Sequence, residues 1–208
     1  MEAVLIIGKN VTLKEYDLKD AYVVGIDQGA ILALEEGIAL DAAIGDFDSI
    51  EKEEEKRLSK QKNVFFLNRE KDDTDTAAAL KILPKEVRKI TILGGIQGNR
   101  IDHFLANLLL MEQDERIGMV DDDTMIFIKN ESFQVSKGKY HYLSLFALEE
   151  VVDLTLNGVA YPLTNYTLFP KDPLCISNEW KTDLADITFQ SGKLLVILSK
   201  EDRRNNFK

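Results

Sequence analysis

The first 120 residues alternate short β-rich runs with helix-like runs, and this alternation restricts the fold more than any other feature of the sequence. The strand-like runs lie at 3–7, 21–26, 41–44, 63–67 and 89–93, and the helix-like runs lie at 29–37, 51–61, 75–83 and 100–113. Alternating strands and helices favour a mainly parallel sheet covered by helices on both faces. We therefore predict an α/β class fold with a Rossmann-like, mainly parallel sheet domain over residues 1–122.

The pattern changes at about Met125, after which no long helix is predicted. The β-rich runs lie at 124–130, 132–138, 140–148, 152–159 and 192–200. Turn dipeptides separate some of them, notably Asn157–Gly158 and Ser191–Gly192. Short strands divided by turns predict a small all-β sandwich domain over residues 123–208. We interpret the acidic run at 121–124 as a solvated turn at the boundary.

Composition excludes several classes of function. The 208 residues include 26 Lys and Arg against 36 Asp and Glu, a net charge of −10, and this sign disfavours a nucleic-acid partner. A single cysteine, Cys175, excludes an internal disulfide framework and a thiolate metal cluster. No apolar stretch is long enough to span a membrane, and the N-terminus lacks the features of a signal peptide, so we expect a cytoplasmic protein.

Acidic and glycine-rich segments follow the predicted strands of the first half. The second strand is followed by Asp27-Gln28-Gly29-Ala30 and the third by Gly45-Asp46-Phe47-Asp48. The next two loops carry Asp72, Asp73 and Asp75, and then the run from Gly94 to His103. Because the carboxyl ends of parallel strands meet at one edge of a sheet, these loops are expected to converge there.

Clustered carboxylates repel one another unless a cation lies between them. Mg²⁺ prefers oxygen ligands, and one or two carboxylates together with substrate phosphates complete its shell. Gly94, Gly95 and Gly98 allow backbone N–H groups to approach phosphate oxygens, and Arg100 can hold a phosphate with two hydrogen bonds. The combination predicts a Mg²⁺-nucleotide site for phosphoryl-type transfer.

Each motif also has a simpler interpretation. A lone Asp-x-Asp is commonly a turn or a cap, and the segment "DDTD" is suited to capping the helix that follows it. The segment "GGIQG" is compatible with a glycine loop that binds nothing, and His103 with a structural hydrogen-bonding residue. The recurrence of such motifs at equivalent strand ends is what favours a functional site.

Several motifs together resemble the thiamine pyrophosphokinase family. "GDFDS", "DDTD" and "GNRIDHFLANL" occur in this order and spacing, and "DQGA" resembles the Asp-Gly-Gly-Ala stretch of the family. In the second half, "YPLTNYTL" and "CISNEW" resemble its thiamine-binding domain. Gln28 stands where the family usually has glycine, and Asn99 replaces a second glycine before Arg100.

The resemblance implies a homodimeric transferase that converts ATP and thiamine into AMP and thiamine diphosphate, with thiamine bound at the subunit interface. It implies that Asp46, Asp48 and Asp75 hold Mg²⁺ and act in catalysis together with Arg100 and Asp102. The implied nucleotide-binding residues are Asp27, Gln28, Gly29, Lys71, Asp72, Thr74, Gln97 and Gly98. The implied thiamine contacts are Ser177, Asn178 and Trp180.

Two other functional classes remain open at this point. "DFDSI" also resembles the nucleophile loop of haloacid-dehalogenase-type phosphatases, in which Asp46 would attack phosphorus. The second class is a sensor that binds Mg²⁺ and a nucleotide, or thiamine, without catalysing a reaction. In the second half, Trp180 is equally suited to a sandwich core, and Ser177–Asn178 to a turn.

Overall fold

The computed structural model describes residues 1–8, 11–48, 50–68, 72–98 and 100–200. The chain divides into two compact units, residues 1–122 and residues 123–208, which we call the first and the second unit. None of the helices within these described ranges has the length and apolar character needed to cross a bilayer.

Parallel pairing dominates the first unit. Its strands are β1 (Glu2–Ile7), β2 (Tyr22–Ile26), β3 (Ala42–Gly45), β4 (Val64–Phe66), β5 (Lys89–Leu93) and β6 (Ile117–Val120). They pair in the order β4-β3-β2-β1-β5-β6, and each of these pairs is parallel. The helices are α1 (Gln28–Glu35), α2 (Lys52–Leu58), α3 (Asp75–Lys81) and α4 (Ile101–Gln113).

The register of the central strands places their ends side by side. Ile7 at the end of β1 pairs with Ile26 at the end of β2, and Ile26 pairs with Ile44 near the end of β3. β1 and β3 are almost wholly buried, because their residues are apolar on both faces of the sheet. The loops that follow these strands therefore leave the sheet at one edge.

The predicted helices and strands of the first unit are confirmed, with bounds that differ by a few residues. β6 was not predicted, because four residues that include Gly118 give too short a β signal. The prediction of a solvated turn at 121–124 was wrong. Asp121 is 1% exposed, and the Asp122 carboxylate accepts hydrogen bonds from the Thr12 backbone N–H and hydroxyl, at 2.9 and 2.7 Å.

The second unit is β-rich and antiparallel. Its strands are β7 (Thr124–Lys129), β8 (Phe133–Ser136), β9 (Tyr142–Ala147), β10 (Val151–Asn157), β11 (Leu163–Leu168), β12 (Asn178–Glu179), β13 (Leu184–Thr188) and β14 (Leu194–Ser199). One set pairs in the order β7-β14-β9-β12 and another in the order β11-β10-β13-β8. One core contains Leu145 and Val196 from the first set and Leu154 and Ile187 from the second.

The coarse fold prediction, a domain of strands and helices followed by a β-rich domain, is confirmed. Strand pairing over the whole chain is mixed, because it is parallel in the first unit and antiparallel in the second. β13 escaped prediction because Asp186 interrupts its apolar pattern.

Candidate active site

A pocket of about 370 Å³ opens at the carboxyl ends of β1 and β2. Seven of the predicted site residues line it: Asp27, Gln28, Thr74, Asp75, Gln97, Gly98 and Arg100. Its other lining residues are Ile7, Gly8, Ile26, Thr76, Gly95, Ile96, Ile101, His103, Phe104, Ala106 and Asn107. Loops that are far apart in sequence therefore converge, as the strand-end argument predicts.

The remaining predicted residues of the first unit lie outside this lining. They are Gly29, Asp46, Asp48, Asp72 and Asp102. Gly29 has a packing role: a Cβ built on it would lie 2.0 Å from the Ile6 carbonyl oxygen. Its missing side chain lets the start of α1 lie against β1. Lys71 and Asn99 fall outside the described residues.

The carboxyl group of Asp27 has a raised pKa because of its burial and its acidic neighbours. Asp27 lies between β2 and α1 with a positive φ of 45°, a conformation that residues other than glycine rarely adopt. Burial and the nearby charge of Asp75 raise the pKa of Asp27 to about 6, and Asp46 contributes in the same direction. A hydrogen bond from the Phe47 backbone N–H acts against this rise. The carboxylates of three separate loops therefore interact electrostatically.

The backbone leaves space for the Asp27 carboxylate. A Cβ built on Gly45 would lie 1.8 Å from Asp27 Oδ1, so any side chain there would collide with it. This oxygen is buried, and within the described ranges it accepts no hydrogen bond. A buried carboxylate oxygen without a donor is costly, which indicates a site that is completed by something other than the chain itself.

The raised pKa of Asp27 predicts a pH-dependent effect of Asp27→Asn on stability. The folded state binds a proton at Asp27 more tightly than the unfolded state, so ionisation destabilises the fold as pH rises from about 4 to above 6. Without metal, we expect Asp27→Asn to be more stable than wild type at about pH 8, by roughly 1–2 kcal/mol after allowing for partial exposure. We expect little difference at about pH 4. Urea unfolding at both pH values, with a chelator, measures this, and a pH-independent difference would contradict it.

Phe47 explains the Asp-x-Asp spacing. Its ring is 7% exposed and packs in a cluster with Ala30, Ala43 and Leu58, and its φ is 50°. The two flanking carboxylates lie on either side of this buried anchor. Asp46 Oδ1 also accepts a hydrogen bond from the Asp48 backbone N–H at 3.2 Å. The motif is thus a tight turn, as its simpler interpretation holds, that also brings Asp46 within electrostatic reach of Asp27.

A preformed metal cage is not present in the described part of the chain. No group of three or more Asp, Glu, His and Cys residues there is arranged to hold an ion. Asp46, Asp48 and Asp75, expected as metal ligands, are therefore not assembled as a three-carboxylate cluster. The donors available are hard carboxylate oxygens, including the unpaired oxygen of Asp27.

The segment "DDTD" both caps a helix and contributes to the pocket. The Thr74 hydroxyl accepts a hydrogen bond from the Ala77 backbone N–H at 3.1 Å, so Thr74 is the N-cap of α3. Asp75 is the first residue of that helix and lines the pocket. The capping interpretation is confirmed, and it accounts for how the Asp75 carboxylate reaches the site.

The glycine loop between β5 and α4 has the conformation that its sequence predicts. Gly94, Gly95 and Gly98 have positive φ values of 90°, 73° and 138°. A Cβ on Gly94 would lie 2.4 Å from the Ile7 carbonyl oxygen, so this glycine is needed for the loop to lie against β1. Gly95 and Gly98 line the pocket, where backbone groups are accessible to a ligand.

Arg100 lies at the start of α4 and forms a two-pronged contact with Asp102. Its Nε and Nη2 donate to the two carboxylate oxygens at 3.1 and 3.0 Å, and Nη2 also lies 2.5 Å from His103 Nε2. The contact lowers the pKa of Asp102 to about 2. The guanidinium therefore already presents the planar fork that suits a phosphate. The interpretation of His103 as a hydrogen-bonding residue is confirmed.

For ATP, the substrate that the family resemblance implies, Arg100→Lys is expected to raise the KM about tenfold, because a lysine keeps the charge but cannot form the fork. Arg100→Ala is expected to raise it further. Arg116→Lys is the matched control, since Arg116 forms a similar fork with Asp114 outside the pocket lining. Steady-state kinetics of wild type, the two Arg100 variants and the Arg116 control measure KM and kcat. Equal activity of the lysine variant and wild type would mean that Arg100 supplies only charge.

The predicted thiamine residues of the second unit have structural contacts. The Asn178 side chain is buried, and its carboxamide accepts from the Tyr161 N–H at 3.0 Å and donates to the Tyr161 carbonyl at 2.8 Å. Ser177 is exposed with a φ of 56°, and its N–H donates to the Ser144 hydroxyl. Trp180 packs against the core of this unit, as its alternative interpretation holds. Among the described residues its buried Nε1 has no partner.

A small cavity of about 90 Å³ lies beside Asn178, lined also by Tyr161, Leu174 and Ile176. Its volume is well below that of ordinary ligand pockets. Tyr161, Leu174 and Ile176 are exposed apolar side chains at its rim. The second unit thus offers an apolar surface around Asn178 rather than a closed site.

Sequence reasoning missed two buried polar residues of the main pocket, Thr76 and Asn107, and a helical spacing marks the second of them. Asn107 is buried on α4 and lines the pocket together with Arg100, His103 and Phe104. These residues are spaced i, i+3, i+4 and i+7, which places them on one face of a helix. That spacing was the signal that would have identified it.

Comparison with known proteins supports the family suggested by the motifs. The family model described as thiamin pyrophosphokinase, catalytic domain, matches residues 13–120, and the one described as thiamin pyrophosphokinase, vitamin B1 binding domain, matches residues 130–194. The thiamine pyrophosphokinase of Bacillus subtilis (strain 168) is 32% identical over 186 residues, which cover 86% of this chain and 87% of that protein.

Solved structures agree. A crystal structure of the Bacillus subtilis thiamine pyrophosphokinase has a TM-score of 0.87 and 30% identity, covering 97% of this chain and 99% of that one. The enzyme from Geobacillus thermodenitrificans has a TM-score of 0.85 and 30% identity, covering 97% and 98%. The comparisons support neither a haloacid-dehalogenase-type phosphatase nor a non-catalytic sensor. With both domains matched in order, the chain belongs to the thiamine pyrophosphokinase family.

Proposed function

We propose that this enzyme, a thiamine diphosphokinase by family, moves the diphosphoryl group of ATP intact to the hydroxyl of thiamine. The hydroxyl oxygen forms a bond to the β-phosphorus while the bond from that phosphorus to the oxygen bridging the α-phosphate breaks. AMP leaves with that oxygen, and the hydroxyl proton is lost. The observation that carries the proposal is the pocket in which Asp27, Asp75, Arg100 and the glycine loop meet.

In this proposal the first unit binds the nucleotide. Gly98 and Gln97 approach the phosphates from the glycine loop, and the Arg100 fork exchanges part of its contact with Asp102 for phosphate oxygens. Asp27 and Gln28 line the same pocket beside α1, and Lys71, Asp72 and Thr74 belong to the segment leading into α3. Support comes from the convergence of these loops and from the match to the catalytic-domain family.

We further propose that Mg²⁺ is held by Asp46, Asp48 and Asp75, with ATP phosphates and water completing its shell. Mg²⁺ prefers hard oxygen donors and retains water, so a site with few preassembled carboxylates suits it. The unpaired Asp27 oxygen and the repulsion among these acids are the observations that support a bound cation. When bound, the ion would neutralise phosphate charge.

The second unit is proposed to bind thiamine, through Ser177, Asn178 and Trp180. The match to a vitamin B1 binding family supports this assignment. Because the cavity beside Asn178 is small and its rim apolar, we propose that a second copy of the chain covers it in a homodimer. The proposal also includes a cytoplasmic location, a Rossmann-like first domain (residues 1–122) and a sandwich-like second domain (residues 123–208).

A product assay by mass tests the reaction. Incubation with ATP, thiamine and Mg²⁺ is expected to give AMP and thiamine diphosphate in equal amounts. ADP with thiamine monophosphate would mean that one phosphoryl group moves, and would overturn the proposal. Omission of thiamine is the control, because AMP formed without it would indicate hydrolysis.

Mixed dimers test the shared thiamine site. Asp46→Asn and Trp180→Ala subunits, each inactive or weak in its own homodimer, are expected to recover part of the wild-type activity when mixed. One site of the mixed dimer would then have both halves intact. If mixed dimers form and no activity returns, both sets of residues act within one chain, and the interface site is wrong.

A further inference from the structure

Asn107 is a polar residue inside the main pocket that the proposed reaction leaves without a role. It lies near the middle of α4 and is 3% exposed. It lines the pocket, so the small accessible part of the residue faces the space where a ligand would lie. Asparagine is seldom this buried unless its carboxamide has partners.

None of the side-chain hydrogen bonds found between described residues involves the Asn107 carboxamide, and its polar atoms are not among the fully buried unpartnered ones, so they are accessible from the pocket. Asn178 provides the contrast, because it is similarly buried and its carboxamide is bonded to both backbone groups of Tyr161. A carboxamide whose polar atoms meet only the pocket is bonded there by water or by a ligand. The position of Asn107 therefore suits a hydrogen bond to a ligand in the pocket.

The amide lies beside the first part of the glycine loop and well along α4 from Arg100, the residue that the proposed function assigns to the phosphates. Asn107 Nδ2 lies 3.7 Å from the position that a Cβ on Gly95 would occupy, which locates it beside the glycine loop. It follows Arg100 by seven residues, a rise of about 10 Å along the helix. Apolar lining residues share the pocket with it, among them Ile7, Ile26 and Phe104. These surroundings suit the uncharged, flat part of a nucleotide.

We propose that Asn107 hydrogen-bonds the edge of the nucleobase and selects adenine over guanine. A carboxamide offers one donor and one acceptor side by side, which matches the N6 amino group and N7 of adenine. Guanine presents two acceptors, O6 and N7, on that edge, so one of the two hydrogen bonds is lost. The inference rests on the proposed nucleotide site and adds to it a residue that recognises the nucleobase.

Binding of three ligands to Asn107→Leu tests the proposal. The ligands are ATP, GTP and inorganic triphosphate, each with Mg²⁺ and without thiamine, and calorimetry gives each Kd. We expect ATP to bind about 10- to 100-fold more weakly, triphosphate to be nearly unaffected, and the preference for ATP over GTP to disappear. The ligand-free variant is expected to unfold at a temperature equal to or above that of wild type. Leu109→Ala is the control, because Leu109 is exposed on the same helix and lies outside the pocket lining.

Asn107→Asp gives a second, isosteric test that does not depend on the leucine variant folding. An aspartate only accepts hydrogen bonds, so adenine keeps its N6 contact and loses the one at N7, whereas O6 and N7 of guanine would both face a carboxylate. GTP is therefore expected to lose more affinity than ATP. An equal loss for ATP and triphosphate would overturn the proposal, because the amide would then support the glycine loop. An unchanged ratio of ATP to GTP affinity in both variants would also overturn it. If wild type binds ATP but forms no thiamine diphosphate, the proposed reaction fails while the assignment of Asn107 is still decided by these affinities.

Discussion

Asp75→Asn is expected to lower kcat by about 10²–10³-fold while leaving the fold intact. Asp75 is the first residue of α3, where Thr74 fixes the helix start, and its carboxylate lines the pocket. Its charge makes a larger contribution than that of Asp46 to the raised pKa of Asp27. Asparagine keeps the shape of the side chain and removes the charge, so the proposed positioning of phosphate and metal should be lost. Steady-state kinetics at several Mg²⁺ concentrations measure the effect.

Asp73→Asn is the matched control for that prediction. Asp73 belongs to the same acidic segment, but it pairs with Lys81 and is absent from the pocket lining. This pair is solvent-exposed, and its loss should have little effect on stability or turnover. The metal-free Asp75→Asn protein should be slightly more stable than wild type near neutral pH, because a repulsion with Asp27 is removed. Near-normal turnover of Asp75→Asn at saturating Mg²⁺ would rule out its proposed role.

The position of the site was predictable because it depends on local order and on a general property of sheets. Acidic and glycine-rich loops follow buried strands in the sequence, and parallel strands in register bring those loops together. Asp27, Asp75, Gly98 and Arg100 accordingly line one pocket. The capping role of Thr74 was predictable for the same reason, since it involves residues only three positions apart.

The features that escaped prediction depend on contacts between distant residues. Asp122 accepts hydrogen bonds from Thr12, 110 positions away, so an acidic run that looks solvated is partly buried. The packing role of Gly29 was not predicted, because it comes from the carbonyl of Ile6, which leaves no space for a side chain there. The hydrogen bonds of the Asn178 carboxamide to the backbone of Tyr161, 17 positions away, were not predicted either, and its predicted contact with thiamine stays a prediction. No local pattern encodes such partners.

Phe47 shows how the core determines the chemistry of the site. Its ring packs in the core against residues of β3 and α1. Its backbone N–H donates a hydrogen bond to Asp27, and its neighbours in sequence are the two aspartates of the motif. The left-handed backbone at this position is unfavourable for a residue with a side chain. Burial of the ring offsets that cost. The positions of Asp46 and Asp48 therefore depend on hydrophobic packing that lies outside the pocket lining.

Phe47→Ala is expected to destabilise the protein by about 3 kcal/mol or more, as a large-to-small change in a core does. It is also expected to lower kcat by about tenfold to a hundredfold under conditions where the variant is folded, because the turn relaxes and the carboxylates shift. Phe47→Leu should lose less stability and less of its kcat than Phe47→Ala. Phe66→Ala is the control. The centroids of the Phe66 and Phe47 rings lie 5.6 Å apart, but Phe66 is 68% exposed, so its removal should change stability little. Urea unfolding gives the stability of each variant, and kcat is compared at temperatures where each remains folded. A folded Phe47→Ala enzyme with wild-type kcat would show that the carboxylates hold their positions without the buried ring.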